Sequence, residues 1–309
     1  MNSTVSVVIP TIGRESVFAA VESALSQTYL VKEVIVVVDA DVEVSLPDDA
    51  RVTIVHTGGG LGSSGARQLG IDHATGDVIG LLDDDDEWHV DKLFQQLAAV
   101  ASSDVDLWIV GSRFEVTDES GTIATWPRRL IGAKDPVDAY IFQFHSLNFG
   151  GASLQTSTLC FPRKVAQHVR WSGAPGSVHD DPTWLMQVRD VFPDIPILQI
   201  DLPLVRYHLT TQSLSRTGRD ESSDYIAWGR EHLSGSDPRT RGDYMLTSPV
   251  TSAVAGGSVR GVLESIRTGF RFGNPGGWAI LYAATGVVRS MVRSLSISTR
   301  KSENQEHRS

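Results

Sequence analysis

Four aspartates and a glutamate stand in a row, Asp83-Asp84-Asp85-Asp86-Glu87, directly after the apolar run Val78–Leu82. Like charges at that density repel, so folding them at a strand end is costly unless a cation or hydrogen-bond donors offset the charge. Carboxylate oxygens suit Mg²⁺ or Mn²⁺, ions that keep several waters and bind substrate phosphates. The run therefore reads either as a site for a metal-bridged diphosphate or as a solvated acidic turn. A second acidic pair, His179-Asp180-Asp181, opens a helical pattern. An aspartate there is either a helix cap and dipole partner or a general base that takes a hydroxyl proton. Gly60-Leu61-Gly62-Ser63-Ser64-Gly65 matches G-x-G-x-x-G, with Asp83 21 residues after Gly62, which admits a dinucleotide site. That match falls after the third strand pattern, whereas the fingerprint belongs to the first βα unit of its domain.

The elements that must position these residues are legible from periodicity. Val5–Pro10, Val34–Asp39, Arg51–His56 and Val78–Leu82 are short apolar or β-branched runs. Between them Glu15–Gln27 and Ser64–Ala74 carry a helical period, and Val90–Ala101 does so after the acids. Continuous apolar strands alternating with helices predict a mostly parallel sheet covered on both faces. Ligands then bind at the carboxyl ends of the strands, where the acid run starts. Farther on, Leu107–Gly111, Arg113–Thr117, Thr122–Trp126, Ser157–Phe161, Ile195–Ile200 and Leu204–His208 read as strands, and Asp181–Val191 as a helix. From about Glu221 the pattern is helical, and the polar stretch Ser298–Ser309 reads as a disordered tail.

Composition narrows the class. The 309 residues are 41% hydrophobic and 21% charged, near a globular average, and the single Cys160 excludes a disulfide framework or a cysteine zinc cluster. Residues 1–249 hold 19 Lys/Arg against 34 Asp/Glu, a charge of −15; residues 250–309 hold 8 against 3, or +5. An acidic body argues against general nucleic-acid binding. The opening MNSTVSVVIP has no signal-peptide pattern, so a cytoplasmic location is expected. No run of 18 apolar residues marks a membrane span.

The stretches SVVIPTIGR, ALSQTYLVKEVIVVVD and GLGSSGARQLGIDHATGDVIGLLDDDDEWHVDKL together resemble the nucleotide-binding half of glycosyltransferase family 2. The likeness is dense over residues 3–93 and looser to about 215. It implies a GT-A fold and transfer of a sugar, with inversion, from a nucleotide donor. Pro10 and Thr11 would line the base and ribose pocket, with Gly13, Arg14, Asp41 and Gly62 beside the donor. Asp39 would contact the base and Arg67 would sit near the nucleotide. Asp83-Asp84-Asp85 would be the D-x-D motif: Asp83 near the ribose, Asp84 at the variable position, Asp85 on the metal. Asp181 matches the family's base, with Asp180 the alternate. His208, in the segment Tyr207–Ser215 that resembles the family's closing segment, would complete the metal shell. Trp88, Thr156 and Trp184 would face the acceptor. The chain departs from the pattern at Asp39-Ala40-Asp41-Val42, at Gln68 and at Gly59.

The expected molecule is thus a GT-A domain over 1–215, with a nucleotide half at 1–110 and an acceptor half at 111–215, followed by a helical extension at 216–309. It would use Mn²⁺ or Mg²⁺, a UDP-linked sugar and a glycan or lipid-linked glycan acceptor of surface polysaccharide synthesis. An NAD-linked oxidoreductase using Gly60–Gly65 and a non-catalytic sugar-nucleotide binder are the competing readings. Residues 270–295 mix Trp278, Leu281, Tyr282 and Val288 with Arg271, Arg289 and Arg293. That mixture suits either peripheral contact with the inner face of a membrane or a helix packed on protein.

Overall fold

The apolar runs become strands at nearly the expected bounds: β1 (Val5–Thr11), β2 (Glu33–Val38), β3 (Val52–His56) and β4 (Val78–Leu81). The structure, a computed structural model, describes residues 3–101, 105–118, 120–148, 150–209 and 218–306. Its contacts group into two units, Met1–Val137 with Ala152–Thr210 and Asp138–Gly151 with Thr211–Ser309. Residues 210–217, which include the expected boundary at 215–216 and the end of the closing segment, lie outside the described residues.

In the first unit α1 (Val17–Leu25), α2 (Gly62–His73) and α3 (Lys92–Val100) accompany these strands. The acid run is shorter as a loop than expected, because Asp86–Trp88 forms a strand, β5. The long strand β6 (Ile109–Asp118) and its hairpin partner β7 (Gly121–Trp126) follow, then a 3₁₀ turn at Thr156–Thr158 and β8 (Cys160–Pro162). Helices α5 (Arg163–His168) and α6 (Asp180–Val191) precede β9 (Ile197–His208). Among the described residues these nine strands make one sheet, ordered β3-β2-β1-β4-β8-β6-β9-β5, with β7 beside β6. Strands β3-β2-β1-β4 are parallel, as are β6 and β9; β8, β7 and β5 run antiparallel to their neighbours.

The core explains the order. Val5, Val7, Val8 and Ile9 of β1 and Val34 to Val38 of β2 are buried, as central parallel strands covered on both faces must be. Helix α2 lies close on this sheet: a Cβ on Gly70 would collide with Val8, so only glycine allows the approach. That contact fixes Arg67, one turn earlier on α2, near the strand ends.

The second unit is helical: α4 (Val137–Phe142), which starts at the unit boundary, then α7 (Ser222–His232), α8 (Pro238–Ala255), α9 (Val259–Phe272) and α10 (Gly277–Glu306). Asp237 caps α8, accepting from the Arg239 backbone at 2.8 Å with Pro238 at the first helical position. Buried Asp243 of α8 accepts from the Phe144 backbone at 2.9 Å, the Gly276 backbone at 2.7 Å and Arg239 at 2.7 Å, tying three segments together. The helix α10 continues to Glu306, over a stretch expected to be unstructured; residues 307–309 lie outside the described residues.

Candidate active site

The carboxyl end of β4 and the turn after it carry the acids, and each has a different environment. Asp84 is buried; Thr11 donates to it at 2.6 Å and Arg14 at 2.8 Å. Burial outweighs these partners and raises its carboxyl above the ordinary range. Asp85 has Arg14 at 3.1 Å and remains 19% exposed. Burial, with Asp83 and Asp84 adding their charges, pushes it up to about 6. Asp83 receives Arg67 at 3.0 Å, and its backbone N–H donates to the Ser157 hydroxyl at 3.0 Å. Asp86 points inward, accepting from Ser157 at 2.6 Å and Gln155 at 2.7 Å, while its Oδ1 has no partner. Burial first, then Asp83 and Asp85, raise Asp86 well above the carboxylate range, which favours its neutral form.

Arg67 links this cluster to the second acidic pair. It is buried, with its guanidinium 4.7 Å over the Trp171 ring, and reaches Asp83 at 3.0 Å and Asp181 at 3.5 Å. Burial works against its charge, and Asp181 and Asp83 more than restore it. Its Nε makes no hydrogen bond, and its Nη1 has only the longer ion pair with Asp181. A buried cation with spare donors suits an incoming anion.

The two aspartates at the start of α6 are not equivalent. Asp180 is held by serines: Ser64 at 2.7 Å, Ser63 at 3.2 Å and Ser177. Asp181 accepts from Thr156, faces Arg67 and keeps 28% of its side chain open. Burial, opposed by Arg67 and aided by Asp83, pushes Asp181 up to about 6, the range of a working base. The residue before them, His179, has φ of 60°, a left-handed conformation that non-glycine residues rarely adopt. Burial lowers His179 to about 4, so it is neutral at pH 7.

The donor-side residues gather at the ends of β1 and β2. Asp39 donates its backbone N–H to the Thr11 carbonyl at 2.8 Å. Its carboxylate accepts from Thr57, the Leu61 N–H at 3.0 Å and the Gly62 N–H at 2.7 Å. Asp39 therefore organises the glycine turn and the start of α2. The same bonds weaken the dinucleotide reading, since the N–H groups of that turn are engaged by a carboxylate. Pro10 is half-buried at the end of β1. Gly13, at φ of 89°, turns the chain so that its N–H meets the Thr11 hydroxyl at 3.0 Å. Asp41 is exposed and is not brought to the acids by any described contact.

Four expectations are corrected. Trp88 is buried rather than acceptor-facing: its Nε1 donates to the Ser157 carbonyl at 2.8 Å, and Lys92 lies 3.9 Å over its ring. Gly80 leaves the space this ring fills. Trp184 is likewise buried, stacked on Trp171 at 4.6 Å and bonded to the Val169 carbonyl at 2.7 Å. Thr156 is buried with its hydroxyl on Asp181, so it serves that carboxyl rather than an acceptor. His208 is drawn to Glu87, at 3.0 Å, and to Thr117, at 2.9 Å, rather than to Asp85. Sequence reasoning missed Gln155, Ser157 and Asp86 as the support of the acids; the one available signal was that Asp86 extends the acid run past the motif.

Carboxylates form the right donor chemistry for a hard divalent ion, and Asp83 and Asp85, each paired with an arginine, stay 30% and 19% exposed, whereas Asp84 and Asp86 are buried. Among the described residues no group of three or more ligating side chains is already assembled for a metal.

Residues 6–156 match the sequence model "Glycosyl transferase family 2". The chain is similar to the amylovoran biosynthesis glycosyltransferase AmsB of Erwinia amylovora, 26% identical over 278 residues, covering 85% of this chain and 89% of that one. It is also similar to the UDP-Glc:alpha-D-GlcNAc-diphosphoundecaprenol beta-1,3-glucosyltransferase WfaP of Escherichia coli, 33% identical over 89 residues, 27% of this chain and 36% of that one. In fold it resembles the crystal structure of S. aureus TarS 1–349 in complex with UDP-GlcNAc, with a TM-score of 0.52 at 12% identity, covering 92% of this chain and 90% of that one.

Proposed function

We propose, from the match of residues 6–156 to glycosyl transferase family 2 and the likeness to AmsB and the TarS fold, that this glycosyltransferase moves a sugar from a UDP-linked donor, with inversion, to a hydroxyl of a lipid-linked glycan in polysaccharide synthesis. The observation that carries this reading is Arg67. It joins Asp83, of the acid run, to Asp181, a carboxyl held near pH 6, and has donors to spare. Transfer with inversion needs those two functions side by side: charge stabilisation for a departing diphosphate and a base for the attacking hydroxyl.

In this reading Asp181 takes the acceptor proton, with Thr156 and Arg67 orienting it. Asp180, engaged by three serine hydroxyls, holds the start of α6 in place. Asp83 and Asp85 would hold Mn²⁺ or Mg²⁺, which would offset the diphosphate charge. Pro10, Thr11, Gly13, Arg14, Asp39 and Gly62 would frame the nucleotide, and the spare donors of Arg67 would meet phosphate oxygen. The UDP assignment draws on the named donor of WfaP and on the TarS complex; the lipid-linked acceptor draws on the name of WfaP. An acceptor of that kind places the chain in the cytoplasm, in peripheral contact with the inner face of a membrane.

A thermal-shift series of nucleotide sugars with and without Mn²⁺ tests the reading. A UDP-sugar at about a hundred times its Kd should stabilise the fold by about 2.7 kcal/mol through mass action. Stabilisation by NAD and not by any UDP-sugar would reverse the assignment.

A further inference from the structure

Both α9 and α10 pack on α8 through small residues and turn apolar side chains away from it. Gly269 of α9 lies against Leu246, and Gly286 of α10 against Val250, where a Cβ would collide. On α10 the buried positions among residues 277–293 are Ala279, Tyr282, Ala283, Gly286 and Ser290. Tyr282, expected to meet lipid, is part of this packing face: its hydroxyl pairs with Thr251 at 2.8 Å, and Arg289 lies 4.7 Å over its ring. The opposite arc of the helix carries Trp278, Leu281, Val288 and Val292, spaced by three, seven and four residues, with Ile280 and Met291 beside them. All six are between 39% and 62% exposed. No charged residue interrupts α10 from Gly277 to Val288; the first charges are Arg289 and Arg293. On α9 the outward face divides into an apolar edge, Leu263 and Phe270, and a basic edge, Arg260, Arg267 and Arg271, with one acid, Glu264.

We propose that the outward faces of α9 and α10 are a docking surface for an anionic lipid bilayer. Exposed aromatic and aliphatic side chains flanked by arginine are what a helix lying in a bilayer interface requires. No helix among the described residues is long and apolar enough to cross a membrane, so the contact is peripheral. Charge selects lipid over a second copy. Two-fold pairing would bring the same basic patch, five arginines against the single acid Glu264, onto itself, whereas acidic headgroups complement it. Residues 1–249, at −15, are repelled by an anionic surface, and residues 250–309, at +5, are attracted. The inference deepens the lipid-linked acceptor reading but needs no turnover, so its failure and the failure of that reading are separate results.

The test is flotation of the full chain with phosphatidylcholine vesicles, with and without about one third phosphatidylglycerol, at low and at ~0.5 M salt. The protein should float with the anionic vesicles, and salt should weaken binding without abolishing it. Trp278→Glu with Leu281→Glu and Val288→Glu, exposed positions that leave the α8 contact intact, should cut partition at least tenfold with unchanged circular dichroism. Arg267→Gln with Arg271→Gln and Arg293→Gln should remove the salt-sensitive part alone. Absence of flotation at low salt overturns the proposal, as does flotation that neither triple variant reduces. A dimer in sedimentation that the glutamate variant dissociates, with no flotation of the parent, would make this face a subunit interface instead.

Discussion

At the scale of single residues, the two carboxyls held at about 6 make opposite demands on stability and activity. Asp85 and Asp181 both lie above the ordinary 3.8. Between about pH 4 and 6 these two carboxyls hold more protons in the native chain than in the unfolded one, a contribution to stability without metal that falls as pH rises, while His179, lowered to about 4 by burial, contributes in the opposite direction over the same window. In urea unfolding at pH 5 and pH 7, Asn at both positions should remove the carboxyl contribution, so that stability at pH 7 relative to pH 5 is higher in the double variant than in the parent; an unchanged difference would remove the raised carboxyls from the account. Transfer should run the other way. A protonated Asp181 accepts no proton, so turnover at saturating metal and donor should decline below an apparent pKa near 6, and a flat profile from pH 5 to 8 would remove Asp181 from the base role. The sequence showed the pair Asp180-Asp181 but could not rank it physically. The ranking lies in which side chains surround each: three serine hydroxyls on one, Arg67 and Thr156 on the other. Asp84 was legible only as the variable position of a motif. Its burial between Thr11 and Arg14 makes Asp84→Ala a structural change as well.

At the scale of elements, the support for the acids comes from a segment that carries little signal of its own. Gln155, Thr156 and Ser157 sit in and before a single 3₁₀ turn, yet their side chains reach Asp86, Asp181 and, through the Ser157 hydroxyl, the Asp83 backbone. Removing that hydroxyl leaves a buried carboxyl and a backbone N–H short of a partner. Ser157→Ala should cost about 1–3 kcal/mol in chemical denaturation. It should also weaken donor binding, while Ser157→Thr should restore part of both if the methyl is accommodated. Four parallel strands and three helices were legible because buried parallel strands read as apolar runs. Two long strands were not. The breaks expected at Ser112 and near Pro203 are register shifts within β6 and β9, where Arg113 pairs with Pro203. A proline or a small residue at a bulge imitates a strand end in sequence. Strand β5 was hidden because its pairing with β9, Asp86 to Tyr207 and Trp88 to Val205, is set by tertiary contact and not by local propensity. Trp88 and Trp184 were ambiguous for a related reason: an indole whose N–H finds a backbone carbonyl packs as well inside as a sugar platform does outside.

At the scale of the whole molecule, charge separates the roles that the two parts of the sequence take. The acidic part holds a cluster in which Asp84, Asp85 and Asp86 are all raised by burial, an arrangement costly in the free protein. Such cost marks a site that waits for positive charge, which a bound divalent ion would supply. The account stands most directly on calorimetric titration of UDP, with Mn²⁺ present, into the parent protein, Asp85→Ala and Asp181→Asn. UDP should bind the parent and Asp181→Asn alike, with turnover of the latter lowered about 10²- to 10⁴-fold, and Asp85→Ala should show no metal-dependent binding. Equal, metal-dependent UDP affinity in the parent and Asp85→Ala would contradict the account.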